Sequence, residues 1–102
     1  MEGHSVISAD VLARYAADAA LEVRGVARLA ESSLHRHRGV RVIDDDGNLT
    51  IELHLRIDWG ASASQVAATV QERVARYLGR MTDVVPRAVD VVVDEFGPPP
   101  AD

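Results

Sequence analysis

The chain has 102 residues, of which 47% are hydrophobic and 26% are charged, a composition typical of a soluble globular protein. Its net charge of −5 argues against nucleic-acid binding, because that binding depends largely on cations that meet phosphates. The absence of cysteine excludes disulfides, thiolate metal sites and cysteine nucleophiles, and the absence of lysine excludes Schiff-base chemistry.

The length predicts a single domain over residues 1–102, with an ordered core at about residues 7–96 and a short proline-rich tail at 97–102. No stretch approaches the roughly 18 to 20 apolar residues that a membrane-spanning helix needs. The first residues also lack the basic and then apolar pattern of a signal peptide. We therefore expect a cytoplasmic protein without direct membrane insertion.

The first predicted element is a helix over residues 8–24. Ser8 is a suitable N-cap, because its hydroxyl can accept a hydrogen bond from the first helical turn. Apolar residues then recur four apart and so share one helical face: Val11, Tyr15, Ala19 and Val23. Gly25 follows, where a glycine in the left-handed conformation commonly ends a helix.

The segment Val26–Ser33 fits either a short strand or an extension of this helix, and the stop at Gly25 favours the strand. Val40–Asp44 is typical of another short strand, and Asp45–Asn48 supplies turn residues before a longer one. We expect the strands on either side of this turn to form an antiparallel hairpin.

Residues 49–57 alternate between apolar and polar side chains, the pattern of a strand with one buried face. A helix capped by Ser62 or Ser64 should follow and end at about Met81, with a stripe of Val66, Val70, Val74 and Leu78. Alternation returns over residues 88–96. The sequence thus predicts an α+β fold with two helices packed on one face of a three- or four-stranded mixed sheet. The element order is α-β-β-β-α-β, or α-β-β-α-β if Val26–Ser33 is not a strand.

Two groups of residues bear on metal binding. The acidic residues of Asp44–Asn48 are spaced as in a calcium loop, but the glycine and glutamate that an EF-hand needs further on are leucines here. A solvated hairpin turn is the favoured interpretation. His35 and His37 could share a metal, yet zinc sites need three or four ligands and the flanking arginines would repel a cation. We predict neither a metal nor a cofactor.

Gly60–Ser64 follows a strand and opens a helix, as a nucleophile elbow does, but it lacks the last glycine of Gly-x-Ser-x-Gly. An ordinary helix cap is favoured, because every helix start has free N–H groups to satisfy. An anion could use the same groups. We therefore predict no catalytic residue, and the alternative function is a small-molecule or anion-binding domain that uses Gly60–Ser64.

The polar side of the long strand is the predicted interaction surface. Val92 and Ile43 should share it, because each is out of phase with the core positions of its own strand. Trp59 follows this strand and could either cover the edge of the core or belong to an interface, where tryptophan is enriched. A mixed apolar and charged face suits a partner or a second copy. The interface candidates are Ile43, Glu52, His54, Arg56, Trp59 and Val92.

Several short motifs occur in a characteristic order. The first half carries Ile-Ser-Ala-Asp-Val at 7–11, Glu-Val-Arg-Gly-Val at 22–26 and Gly-Val-Arg-Val at 39–42. The second half carries Asp-Trp-Gly at 58–60, Val-Gln-Glu-Arg-Val at 70–74, Met-Thr at 81–82 and Val-Asp-Val-Val-Val at 89–93. Over about residues 5–96, this series resembles the alkaline shock protein family of envelope stress proteins in Gram-positive bacteria. That family often has tyrosine in place of Trp59 and glycine in place of Asp83.

The resemblance implies a small, non-enzymatic cytoplasmic protein of cell-envelope homeostasis or stress response. It also implies partners: other copies or paralogues of the family, or a membrane-anchored protein that holds the chain at the membrane. No catalytic residue can be carried over, because the family defines none. We therefore expect an interaction or scaffold protein that self-associates or binds such a partner.

Overall fold

The computed structural model describes residues 8–30 and 39–97. In chain order, these residues form α1 (Ala9–Leu21), β1 (Val26–Leu29), β2 (Val40–Asp45), β3 (Asn48–Asp58), α2 (Ala63–Thr82) and β4 (Ala88–Gly97). The predicted order α-β-β-β-α-β is therefore confirmed, and the uncertain third element is a strand at Val26–Leu29.

The long strand β3 lies at the centre of a mixed sheet. β4 runs parallel to β3 along residues 50–58, whereas β2 and β1 are antiparallel to it. β2 pairs with residues 48–53 of β3 and β1 with residues 55–57, so both lie on the edge of β3 opposite β4. His54 is the junction, since its N–H donates to the carbonyl of Gly39 and its carbonyl accepts from the N–H of Ala30, each at 2.8 Å.

The core lies between one face of this sheet and the two helices. The odd-numbered apolar residues of β3 are fully buried, as the alternation predicts: Ile51, Leu53, Leu55 and Ile57. The predicted stripe of α2 is buried against them: Val66, Val70, Val74 and Leu78. α1 contributes mostly alanine, which lets its backbone lie close to its neighbours: Leu12, Ala13, Ala16, Ala19 and Ala20.

Two details of α1 differ from the prediction. The helix ends at Leu21, not at residue 24, and the left-handed Gly25 (φ +101°) lies beyond its cap. A Cβ on Gly25 would stand 2.7 Å from a methyl of Val66, so glycine is needed there for a close approach to α2. The predicted stripe is correct for Ala19 and Val23, which are buried, but Val11 is exposed and Leu12 is buried in its place. The alanines of α1 make several of its faces equally apolar, so periodicity alone could not choose between them.

The β2–β3 hairpin has a tight two-residue turn. Asp46 (φ 55°) and Gly47 (φ 90°) are both left-handed, as the type I′ turn of a hairpin requires. The Asp44 carboxylate accepts a hydrogen bond of 2.9 Å from the N–H of Gly47. The predicted hairpin is thus confirmed, with β2 one residue longer than predicted.

α2 has a serine cap at its start and a strained residue at its end. The Ser62 hydroxyl accepts from the N–H of Gln65 at 3.4 Å, which identifies Ser62 as the cap in preference to Ser64. The helix runs to Thr82, one residue beyond the prediction. Asp83 then adopts a left-handed conformation (φ 62°, ψ 10°), and its N–H donates to the Gly79 carbonyl at 3.1 Å.

β4 contains a β-bulge near its end. Val93 pairs with Leu55 and Glu95 with Arg56, so Asp94 is an extra residue without a cross-strand partner on β3. The strand continues to Gly97, which the sequence had placed in the tail.

Candidate functional site

The side of the sheet opposite the core is the candidate site, here called the open face. Cross-strand partners point to the same side of a sheet, so the register assigns its members. The register gives Arg28 of β1, Arg41 and Ile43 of β2, Thr50, Glu52, His54 and Arg56 of β3, and Asp90, Val92 and Glu95 of β4. The contact of Asp94 with His54 adds Asp94, and Trp59 follows β3 at the end of this face. Neither α1 nor α2 packs on this side, because both contribute to the core on the other one.

A histidine between two carboxylates occupies the middle of the open face. The Nδ1 atom of His54 lies 2.9 Å from Oδ2 of Asp94, and its Nε2 atom lies 3.1 Å from Oε1 of Glu52. The His54 side chain is only 16% exposed. A neutral imidazole has one N–H, so it can donate to one carboxylate only. Two carboxylates at hydrogen-bond distance therefore favour the imidazolium form.

Burial of the imidazole is the largest single influence on the pKa of His54, and it opposes protonation. The hydrogen bonds and negative charges of Glu52 and Asp94 together outweigh burial, so the pKa is raised above its ordinary value of 6.5. The cluster joins β3 to β4 most strongly when His54 carries its proton.

The bulge of β4 is close to this cluster, and sequence reasoning missed Asp94. Asp94 follows Val92 by two residues, so it lies on the same side of the sheet as His54. The signal was present in the sequence, because Asp94 and Glu95 are consecutive polar residues that interrupt the alternation of β4. The interruption indicates a bulge but does not say which residue contacts which.

The end of the open face is formed by Arg56 and its neighbours. Arg56 is paired in register with Glu95, whose carboxylate lies 3.8 Å from the guanidinium of Arg28. A Cβ on Gly97 would collide with the Arg56 guanidinium, so that side chain lies directly against the Gly97 backbone. The N–H of Trp59 donates to the Gly97 carbonyl at 2.8 Å. Trp59 is 62% exposed, so its interpretation as a cover for the core is wrong.

The structure separates the two apolar candidates of the open face. Val92 is paired with His54 and is 38% exposed, whereas Ile43 is paired with Thr50 and is half-buried. Both lie on the open face, but they flank opposite edges of β3 and are about 13 Å apart along the strand direction. Val92 therefore belongs to the histidine cluster and Ile43 does not.

The other candidate groups take structural roles or lie outside the described residues. The Ser62 hydroxyl serves the cap of α2 and lies 3.3 Å from the Ser64 hydroxyl, so the anion site at Gly60–Ser64 stays a prediction. Within residues 8–30 and 39–97, no three His, Asp or Glu side chains are arranged to hold a metal ion. His35 and His37 lie outside these residues.

Comparison with known proteins identifies the family to which the chain belongs. No described helix is long and apolar enough to cross a membrane. No curated protein matches the chain, and no solved structure matches it. A family model with a cell envelope-related function matches residues 1–96, nearly the whole chain. The resemblance noted in the sequence is thereby confirmed, and the chain belongs to the alkaline shock protein 23 family.

Proposed function

We propose that this chain is a non-enzymatic interaction protein of the cell envelope and that its open face binds another protein. The observation that carries the proposal is a sheet face that neither α1 nor α2 covers, where a half-exposed Val92 lies beside the fixed carboxylates around His54. A sheet with helices on one face only leaves its other face either in contact with solvent or available to a partner.

The composition of the open face supports a partner. Protein interfaces combine an apolar or aromatic centre with a polar rim, and they are enriched in tryptophan and arginine. Here Val92 and the exposed Trp59 are accompanied by Arg56 and Arg28. The fixed geometry of His54 also reduces the entropy that ordering would cost on binding.

The state of His54 supports a role outside catalysis. A general base must offer a lone pair within reach of its substrate. Both ring nitrogens of His54 instead lie at hydrogen-bond distance from carboxylates of the chain itself. The imidazole therefore holds β3 and β4 together and is poorly placed to abstract a proton.

The partner that we propose is a second copy, a paralogue or a membrane-anchored protein, met on the cytoplasmic side of the membrane. The family's cell envelope-related function supports a partner at the envelope. A nucleic acid is disfavoured by the net charge of −5. Because no described helix could span a membrane, attachment through a partner fits better than insertion of these helices.

Aspartate substitutions on the open face test the proposal. Val92→Asp, Ile43→Asp and the double variant are compared with the wild type by gel filtration and light scattering. We expect the double variant to elute as a folded monomer where the wild type associates, because desolvating a carboxylate inside an interface is unfavourable. Where the wild type is itself monomeric, the same comparison is made on the amount of membrane protein that it retains from solubilised envelopes.

Val85→Asp is the matched control. Val85 is 84% exposed in the loop before β4 and does not belong to the open face. Equal association of the wild type, the double variant and this control, with folding intact in all three, would refute the proposal and direct attention to the helices.

A further inference from the structure

A pocket between α1 and α2 gathers arginines in an otherwise acidic protein. It has a volume of about 220 Å³, and its lining, here called the arginine pocket, consists of Ala19, Glu22, Arg73, Arg76, Tyr77 and Arg80. The pocket lies in the helical layer, on the opposite side of the sheet from the open face. A ligand in this pocket would therefore bind independently of a protein partner at the open face.

The helical repeat explains why these arginines converge. Positions 73, 76, 77 and 80 are three, four and seven apart, which places them on one side of α2. Tyr77 lies between the arginines in the sequence, and its ring packs edge-to-face with Tyr15, with the ring centroids 5.6 Å apart and an interplanar angle of 79°. This contact between α1 and α2 fixes one wall of the pocket.

The positive charge of the pocket is largely uncompensated. Among the described residues, neither Arg73 nor Arg80 forms an ion pair, and Glu22 pairs with no arginine. Arg76 lies 3.5 Å from Glu72, but both side chains are more than half exposed, so this pair contributes little. Three guanidiniums and one carboxylate leave the lining with a charge of +2, against −5 for the whole chain.

We propose that the arginine pocket binds a phosphomonoester group. Such a group carries about −1.5 to −2 charges near neutral pH and three acceptor oxygens, which matches the charge of the lining. Guanidinium groups present planar pairs of N–H donors that suit phosphate oxygens. The volume is below the roughly 300 Å³ at which pockets for drug-sized ligands begin, so it fits a single small group.

The phosphomonoester can come from a free anion or from the head group of a lipid, and titrations distinguish the two. Inorganic phosphate is titrated into the ¹⁵N-labelled protein while the guanidinium Nε–H signals are followed. In parallel, the protein is floated with vesicles of phosphatidylcholine alone and of phosphatidylcholine mixed with phosphatidic acid. We expect saturable shifts at Arg73, Arg76 and Arg80 for a free anion, or flotation only with phosphatidic acid for a lipid head group.

Substitutions locate the binding. Arg73→Gln and Arg80→Gln should each raise the dissociation constant by about tenfold, the effect of one charge-assisted hydrogen bond. Glu22→Gln should lower it, because it removes the only carboxylate in the lining. Arg14→Gln is the control, since Arg14 is exposed on α1 and does not line the pocket. All four side chains lie at the surface, so folding should be retained, and thermal melting checks this.

Two results would overturn the assignment. One is the absence of binding to both phosphate and phosphatidic acid. The other is binding that Arg14→Gln weakens as much as Arg80→Gln, because it would show a general response to net charge. Neither result bears on association through the open face.

Discussion

Truncating Leu53 to alanine tests the arrangement of the core most directly. Leu53 is fully buried at the middle of β3, where it is paired with the buried Val40 on one side and with Val91 on the other. Strands on both edges hold the β3 backbone in place. The protein therefore has little freedom to close around the space that the lost carbons leave.

The magnitude follows from two contributions. Leu→Ala removes three carbon atoms, and burial is worth about 0.8 kcal/mol for each CH₂ group. The unfilled cavity adds to this, so we expect a loss of about 2–4 kcal/mol in the free energy of unfolding. Val74→Ala should cost less, about 0.5–2 kcal/mol, because the side chain is smaller and alanine favours the helix.

Chemical denaturation followed by circular dichroism measures both changes, with the slope checked for two-state behaviour. For a domain of this length, each kcal/mol should lower the melting temperature by at least about 4 °C. Val85→Ala serves as the control, because that side chain is 84% exposed and should change nothing. Midpoints of Leu53→Ala and Val74→Ala that equal the wild type would show that these side chains do not form the core.

Two further predictions concern single residues. Asp83→Gly should raise the free energy of unfolding by roughly 0.5–1 kcal/mol, because Asp83 is left-handed at the end of α2 and glycine adopts that conformation without strain. Asp83→Ala should give no such gain, and equal effects of the two substitutions would refute the backbone explanation. For His54, whose pKa is raised by Glu52 and Asp94 against the effect of burial, the protonated form stabilises the fold. That contribution is complete below the ordinary value of 6.5 and is lost as the pH rises through the raised pKa of the folded state. The stability difference between the wild type and His54→Gln, followed by urea unfolding at a series of pH values, should therefore shrink over this window, and a difference that is constant or grows with pH would contradict the assignment.

The sequence predicted the elements whose periodicity was unambiguous. The alternation of residues 49–57 gave both the strand and its buried face, and the four-residue spacing in α2 gave its core stripe. In α1 the abundance of alanine left the first turn undetermined: Ala19 and Val23 are buried as predicted, but Leu12 is buried where Val11 was expected. The turn residues predicted the hairpin correctly. They misled at Gly25, because glycine is needed there for the close approach of Val66 and not to end the helix.

The candidate sites depend on contacts that periodicity cannot supply. The even positions of β3 placed His54 on the open face, but its approach to Asp94 depends on the register of a parallel strand 40 residues away and on a bulge within it. Arg73, Arg76 and Arg80 were not predicted as a site, although their spacing places them on one side of a helix. Only the packing of α1 against α2 turns that spacing into a pocket.

The meeting of β1 and β2 at a single residue of β3 makes His54 a shared backbone anchor for both strands. Ala30, directly after β1, and Gly39, directly before β2, are both hydrogen-bonded to the backbone of His54. Gly39 has a φ of +87°, and a Cβ there would stand 2.5 Å from the Ala30 carbonyl, so the junction itself admits no side chain. A substitution at Gly39 would therefore act on β1 and β2 together, because the backbone of His54 holds the end of β1 and the start of β2.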